Sequence, residues 1–320
     1  MRASSSRSLL SRDELARIAD ACTAIGNEVA DKNGFVPIRN LLARFHANLL
    51  IRPLLVEGLL ASTEHGSENN LDAGRWSVLL DSETYQISEL EVKAESQERP
   101  LPSRLRNTVA HELVHSLAFR PSEFGIRLRK QTDGKENQNA LVREIEKETE
   151  RFSPLLLWSD KALAKFLSDK KRSLSVEDLT WAYRSMGISR YVMINRLRLI
   201  RPTDANGFRY RDGLKNLAIG IGEWVDGKNA FFKGWPLFFN FDRNIVPAFL
   251  LKLTNQDRLP AKAAIPDETF AMCGGPHNSV EFVTDAGSSA MPTAEKMKVR
   301  CSIEHVEKKP RSEFLFVIHK

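Results

Sequence analysis

The stretch Arg106-Asn107-Thr108-Val109-Ala110-His111-Glu112-Leu113-Val114-His115 decides how this chain is read. On an α-helix, positions four apart share one face, so His111 and His115 can both turn toward one ion. Two imidazoles at that spacing suit tetrahedral zinc, and Glu112 stands beside them as a candidate general base. Bound zinc lowers the pKa of water to about 7, and Glu112 can take the proton and deliver it to a leaving amine. Val109, Ala110, Leu113, Val114 and Leu117 make the surrounding helix apolar. Imidazoles buried there need partners, and a metal supplies them.

A catalytic zinc takes a third protein ligand and keeps a fourth position open. Ser116 to Leu128 contains no His, so the HxxGxxH pattern is absent. The next helix offers Glu144, Glu146, Glu148 and Glu150 instead. With Leu141, Ile145, Phe152 and Leu156 as its apolar stripe, Glu148 falls within the stripe and Glu146 on its flank. Periodicity does not choose between them, and at least two of the four acids belong to a solvated face.

Outward from this pair of helices, Ser11-Arg12-Asp13-Glu14 reads as a capping box opening a helix through about Val29. A second helix is expected over Ile38 to Leu50, stopped by Pro53. Leu54 to Leu60 and Trp76 to Asp81 read as strands, with a third over Tyr85 to Val92. After Arg99-Pro100-Leu101-Pro102, Ser103 is the expected N-cap of a helix running to Phe119. Asp133-Gly134 reads as a turn, followed by the acidic helix from Asn139 to Trp158. Two shorter helices, Val176 to Met186 and Arg190 to Ile200, flank Gly187-Ile188-Ser189.

Pro202-Thr203-Asp204-Ala205-Asn206-Gly207 reads as a boundary. Beyond it, strand-like runs at Leu217–Val225, Phe231–Trp235, Thr269–Met272, Val280–Val283, Lys296–Val306 and Phe314–Ile318 alternate with Gly, Pro and Asn. The expected fold is α+β, in three parts: a catalytic domain over 1–170, a helix-turn-helix-like region over 171–205, and a small sheet-rich domain over 206–320.

The three segments around the histidines, the glutamates and the helix pair together resemble the ImmA/IrrE family of metallopeptidases. Residues 106–115 follow the family's R-F-T-L-A-H-E-L-G-H, and Glu146 to Ser159 follows E-x-x-A-N-x-F-A-x-x-L-L-M-P, anchored on Phe152 and the leucines. Leu179 to Ser189 and Val192 to Leu197 resemble its later helix pair. The resemblance covers about residues 100–200. It implies a zincin-like catalytic domain with His111, His115 and Glu146 as metal ligands, Glu148 as the fallback, and Glu112 as the catalytic base. Zn2+ is the implied cofactor, with Mn2+ as a substitute. The implied substrate is a helix-turn-helix transcriptional repressor, whose cleavage derepresses stress-response or mobile-element genes. A substrate strand along the sheet edge is expected at Trp76–Asp81 or Tyr85–Val92. The chain departs from the pattern at Asn107 (an aromatic in the family), Val114 (Gly) and Thr149-Glu150 (Ala-Asn).

The helix pair ends on Arg196, Arg198 and Arg201, so DNA contact by Asn195 or Arg198 is one expectation, and packing on the catalytic domain the plainer one. The C-terminal part matches the position of a GAF-like sensor in some relatives. Cys273-Gly274-Gly275-Pro276-His277 brings a thiol near an imidazole, though a Gly-Pro turn with an incidental Cys accounts for it as well. Two other functions compete with the peptidase: a non-catalytic transcriptional regulator with a structural or degenerate metal site, and a toxin or defence effector using the same site.

A net charge of +6 with scattered basic residues gives only a general bias toward acidic partners. Three cysteines far apart in 320 residues exclude a disulfide framework and fit a reducing cytoplasm. The N-terminus lacks an uninterrupted apolar core, so no signal peptide is expected, and no apolar run approaches a membrane span.

Overall fold

The computed structural model describes residues 12–62, 76–118, 135–169, 174–199, 216–225, 229–238, 263–264, 279–284, 297–303 and 311–319. The chain is α+β and divides into two compact units, Met1–Leu163 with Ser185–Val192, and Ala164–Arg184 with Met193–Lys320. The boundary expected at 202–207, the turn at 133–134 and the Cys273–His277 loop lie outside the described residues.

The first unit begins with α1 (Arg12–Val29) and α2 (Ile38–Arg44), then β1 (Ala47–Arg52), β2 (Gly58–Ser62) and β3 (Trp76–Asp81). The short α3 (Glu89–Lys93) leads to α4 (Ser103–Ala118) and α5 (Lys135–Leu157). The sheet order is β1-β3-β2, with β1 parallel and β2 antiparallel to β3. Val78 and Leu80 of β3 are fully buried, as are Leu113 and Val109 of α4 and Leu156 of α5. One apolar core thus joins the sheet to the helix carrying the histidines.

Three expectations are corrected here. The second helix does not reach Leu50: it ends at Arg44, and Ala47–Arg52 is a strand. His46 adopts φ 50°, a left-handed conformation that stops a helix at the residue after its cap. The strand expected over Tyr85–Val92 is absent, because Ser88 and Glu91 form a capping box that opens α3. Ser103 is itself helical, and the first helical bond of α4 runs from the Arg106 N–H to the Pro102 carbonyl.

The ion pair between Arg106 and Glu95 is wholly buried. Glu95 also accepts the Ile38 N–H at the start of α2 (2.6 Å) and the Leu101 N–H (3.5 Å). Arg106 donates its second terminal nitrogen to the Val36 carbonyl (2.9 Å) and lies 4.4 Å over the Phe35 ring. Gly187 adopts φ 60°, and a side chain there would approach the Arg106 Nε to 3.2 Å and Pro100 to 2.6 Å. Only glycine meets both demands at that turn.

The second unit takes α7 (Val176–Ser185) except its last residue, while α6 (Asp160–Asp169) and α8 (Arg190–Arg198) are divided between the units. α7 opens on a reciprocal cap: the Ser175 hydroxyl accepts the Asp178 N–H, and Asp178 accepts the Ser175 N–H. Phe166 stacks on Trp181 with ring centroids 6.3 Å apart. The sheet-rich part consists of β4 (Asn216–Val225), β5 (Asn229–Phe238), β6 (Ala263–Ala264), β7 (Ser279–Thr284), β8 (Met297–Ile303) and β9 (Arg311–His319). They form an antiparallel sheet in the order β6-β5-β4-β9-β8-β7, so β4 and β9 sit at its centre. No helix among the described residues is long and apolar enough to cross a membrane.

Candidate metal centre

α4 and α5 bring together three of the four residues singled out in the sequence as metal ligands. His111 Nε2 and His115 Nε2 are 3.1 Å apart. Glu146 reaches both, with Oε2 3.1 Å from His111 Nε2 and Oε1 3.3 Å from His115 Nε2. The imidazole rings meet edge to face at an angle of 80°. Among the described residues, this is the group of His, Cys and carboxylate side chains placed to hold a metal ion. Glu148 does not join it and instead pairs with Arg151 at 3.1 Å.

Glu112 lies on the neighbouring face of α4, 8% exposed. Burial, and then the negative charge of Glu146, push its carboxyl up to about 7, against the pull of a hydrogen bond from the Leu60 N–H. Burial and the neighbouring His111 push His115 below the ordinary imidazole value, partly offset by Glu146. The pair therefore favours a neutral His115, the form that ligates metals.

These residues open onto a cleft of about 760 Å³. Its lining includes Gly58, Leu59 and Leu60 of β2 together with Glu146, Glu150 and Tyr191. β2 is held against α4 by Glu57. Its carboxylate accepts two bonds from Arg104, both 2.8 Å, with further bonds from Thr108 (3.1 Å) and Tyr85. The Arg104 guanidinium, foremost, holds the Glu57 carboxyl below its ordinary value, while burial raises the Tyr85 hydroxyl to about 12. Gly58 lets the strand approach: a Cβ there would stand 2.5 Å from Thr108 Cγ2 and 3.2 Å from Glu112 Oε1.

The edge expected beside the site was placed on the wrong strands. β3 (Trp76–Asp81) is central, paired on both sides, and residues 85–92 form no strand. The edge strand facing Glu112 is β2. Sequence reasoning also missed the group Glu57, Arg104, Thr108 and Tyr85. Its members lie 51 residues apart at the widest hydrogen-bonded pair, and no local pattern links them. Of the two residues considered for reading DNA bases, Asn195 is buried and accepts a hydrogen bond from the other, Arg198 (3.5 Å); Arg196, also at the basic helix end, is buried as well.

No family model and no curated protein matches the chain. Among solved structures, a Mycobacterium tuberculosis transcriptional regulator aligns over 97% of this chain and 88% of its own, at 11% identity and a TM-score of 0.42. A likeness at that level carries neither a fold assignment nor a function.

Proposed function

We propose that this chain is a zinc-dependent metallo-endopeptidase of the ImmA/IrrE type, with a zincin-like catalytic unit. The observation that carries the reading is the convergence of His111, His115 and Glu146 beside a buried carboxyl, Glu112. The donor set fits the ion. Ligands about 2.0–2.1 Å from a tetrahedral zinc stand about 3.3–3.4 Å from one another. Here the two imidazole nitrogens are 3.1 Å apart. Glu146 meets them through different oxygens, Oε2 at 3.1 Å from His111 and Oε1 at 3.3 Å from His115, with one donor atom from each residue within 4.8 Å of the others. Two nitrogens and an oxygen also match the ligand preference of zinc, with manganese as the substitute.

A zinc ion held by His111, His115 and Glu146 would supply Lewis-acid chemistry, making water nucleophilic and polarising the scissile carbonyl. The protein's own residues do the rest. Glu112 takes a proton as the water oxygen adds to the carbonyl carbon, and returns it to the amine nitrogen as the C–N bond breaks. β2 orients the substrate. The Leu60 N–H points at Glu112, so by the two-residue period of a strand Gly58 and Leu60 present their backbone groups on the cleft side. An extended peptide can add there as a further strand, a mode that suits cleavage of a protein chain.

The protein substrate is a helix-turn-helix repressor, and its cleavage derepresses stress-response or mobile-element genes. The antiparallel C-terminal sheet is in keeping with a GAF-like sensor domain.

Purified protein should carry one equivalent of zinc, and His111→Ala should lose it. Incubated with zinc and the product of a neighbouring helix-turn-helix gene, the wild type should give fragments that a His111→Ala sample does not. Full cleavage without bound metal sinks the reading. Because of the close approach at Gly58, Gly58→Ala should push β2 away from α4. Misplacement on the order of 1 Å costs about 100-fold in rate, so kcat/KM should fall by that order while zinc content stays at one equivalent. Unchanged kinetics in that variant would show that β2 does not set the substrate's position.

A further inference from the structure

We propose that Thr149 is a positioning residue for the metal centre, its hydroxyl accepting the Nδ1–H of His115 and so fixing the tautomer and ring orientation that turn Nε2 toward Glu146. The inference rests on the metal-site reading above and adds a residue to it. Thr149 stands where the chain departs from the family-like pattern, which has Ala.

Three observations carry it. Thr149 Oγ1 lies 3.5 Å from His115 Nδ1, at the outer limit of hydrogen-bond distance. Thr149 is 1% exposed, on the same face of α5 as buried Ile145 and Phe152. A hydroxyl taken into such surroundings costs free energy unless it is bonded. His115 Nε2 faces Glu146 Oε1 and His111 Nε2 and must offer a lone pair to bind a cation. The ring proton then belongs on Nδ1, within reach of Thr149 Oγ1. A helical Thr can pass its own proton to the carbonyl one turn back, which leaves its lone pairs for the imidazole.

The position on α5 explains why one helix serves both shells. Glu146 precedes Thr149 by three residues, so the two lie on adjacent parts of one face. Glu146 reaches the Nε2 side of the His115 ring and Thr149 its Nδ1 side. A small rotation of α5 would disturb both together. Ala at this position would leave the Nδ1 proton to another acceptor or to water, with the ring less firmly set. Outer partners of this type set ligand basicity and orientation, and their loss costs about 10–100-fold in metal affinity.

The test titrates metal-free, full-length protein with Zn2+ against a chelating dye. The series is wild type, Thr149→Val, Thr149→Ser, Thr149→Ala and His111→Ala. Thr149→Val keeps the branched shape and removes the hydroxyl, so its zinc dissociation constant should rise about 10–100-fold. Thr149→Ser should stay close to wild type, and the thermal midpoint of the metal-free proteins should barely change across the three substitutions at 149. In 15N-edited imidazole spectra of the zinc-loaded protein, wild type and Thr149→Ser should show a slowly exchanging His115 Nδ1 proton that Thr149→Val lacks. Should Thr149→Val not fold, Thr149→Ala carries the same expectation. Affinity unchanged in Thr149→Val, with zinc lost in His111→Ala, overturns the role of Thr149 and leaves the metal site standing. No zinc binding by the wild type overturns both.

Discussion

Glu112→Gln should leave zinc at one equivalent per chain and lower the rate of peptide cleavage by about 10²–10⁴, the range that general acid–base catalysis supplies. The amide keeps the size of the carboxyl and an oxygen able to accept the Leu60 N–H, while losing the basic site. The same substitution has a signature that needs no substrate. In the metal-free protein the Glu112 carboxyl is pushed from 4.5 to about 7, so the folded state holds this proton more tightly than the unfolded chain does. As pH rises from about 4.5 through 7, the folded state must accept a poorly solvated charge, and stability falls over that window. Gln carries no such charge. The thermal midpoint of Glu112→Gln should therefore draw ahead of wild type as pH rises through 7, the two being closest in acid. Parallel stability curves across that window would show that Glu112 is not held in this environment.

A cation held by His111, His115 and Glu146 offsets the Glu146 charge that helps to raise Glu112. The acid limb of the pH–rate profile should then lie at or below about 7. A limb above 8 would assign the titrating group elsewhere.

How far the sequence predicts this arrangement depends on whether each feature is local. The pairing of His111 with His115 follows from helix periodicity alone, because four residues is one turn. The choice of Glu146 over Glu148 does not. Both lie near the apolar stripe of α5, and the two are separated by what each side chain meets, the imidazoles for Glu146 and Arg151 for Glu148. The end of α2 was hidden because its stop is a left-handed histidine, His46, where glycine is the usual signal. The capping box at Ser88 and Glu91 is legible in the sequence, and a strand reading of Tyr85 to Val92 passes over it. Strand order is a different matter. The unbroken apolar centre of β3, Val78-Leu79-Leu80, is the mark of a strand covered on both faces. Pairing partners, however, are set by tertiary contacts, and Gly58 reveals its purpose only once α4 is packed against it.

Arg106→Met should destabilise the fold by about 3–5 kcal/mol, the cost of removing one partner from a buried ion pair. Against a typical total of about 5–15 kcal/mol, that is a large share of what holds a domain folded. The reason lies in what Glu95 would face. Its carboxylate lies in a fully buried site, and without Arg106 its charge would be offset only by the Ile38 and Leu101 N–H groups. The pair also ties three separate segments together: the start of α2, the turn before α4, and α4 itself through Arg106. Burial lowers the Arg106 pKa while the Glu95 charge raises it, so the cation depends on its partner to remain there. Glu95→Leu should therefore be destabilising by a similar amount, leaving the guanidinium as the uncompensated charge. A double variant, Glu95→Leu with Arg106→Met, removes both charges and should recover a substantial part of the loss. Urea unfolding of the four proteins measures each term and the coupling between them. A loss below about 1 kcal/mol in Arg106→Met, within the range of an exposed pair, would show that this ion pair does not anchor α4. If α4 is anchored there, the same variants should also weaken zinc binding, because Arg106 and His111 lie on one helix little more than a turn apart.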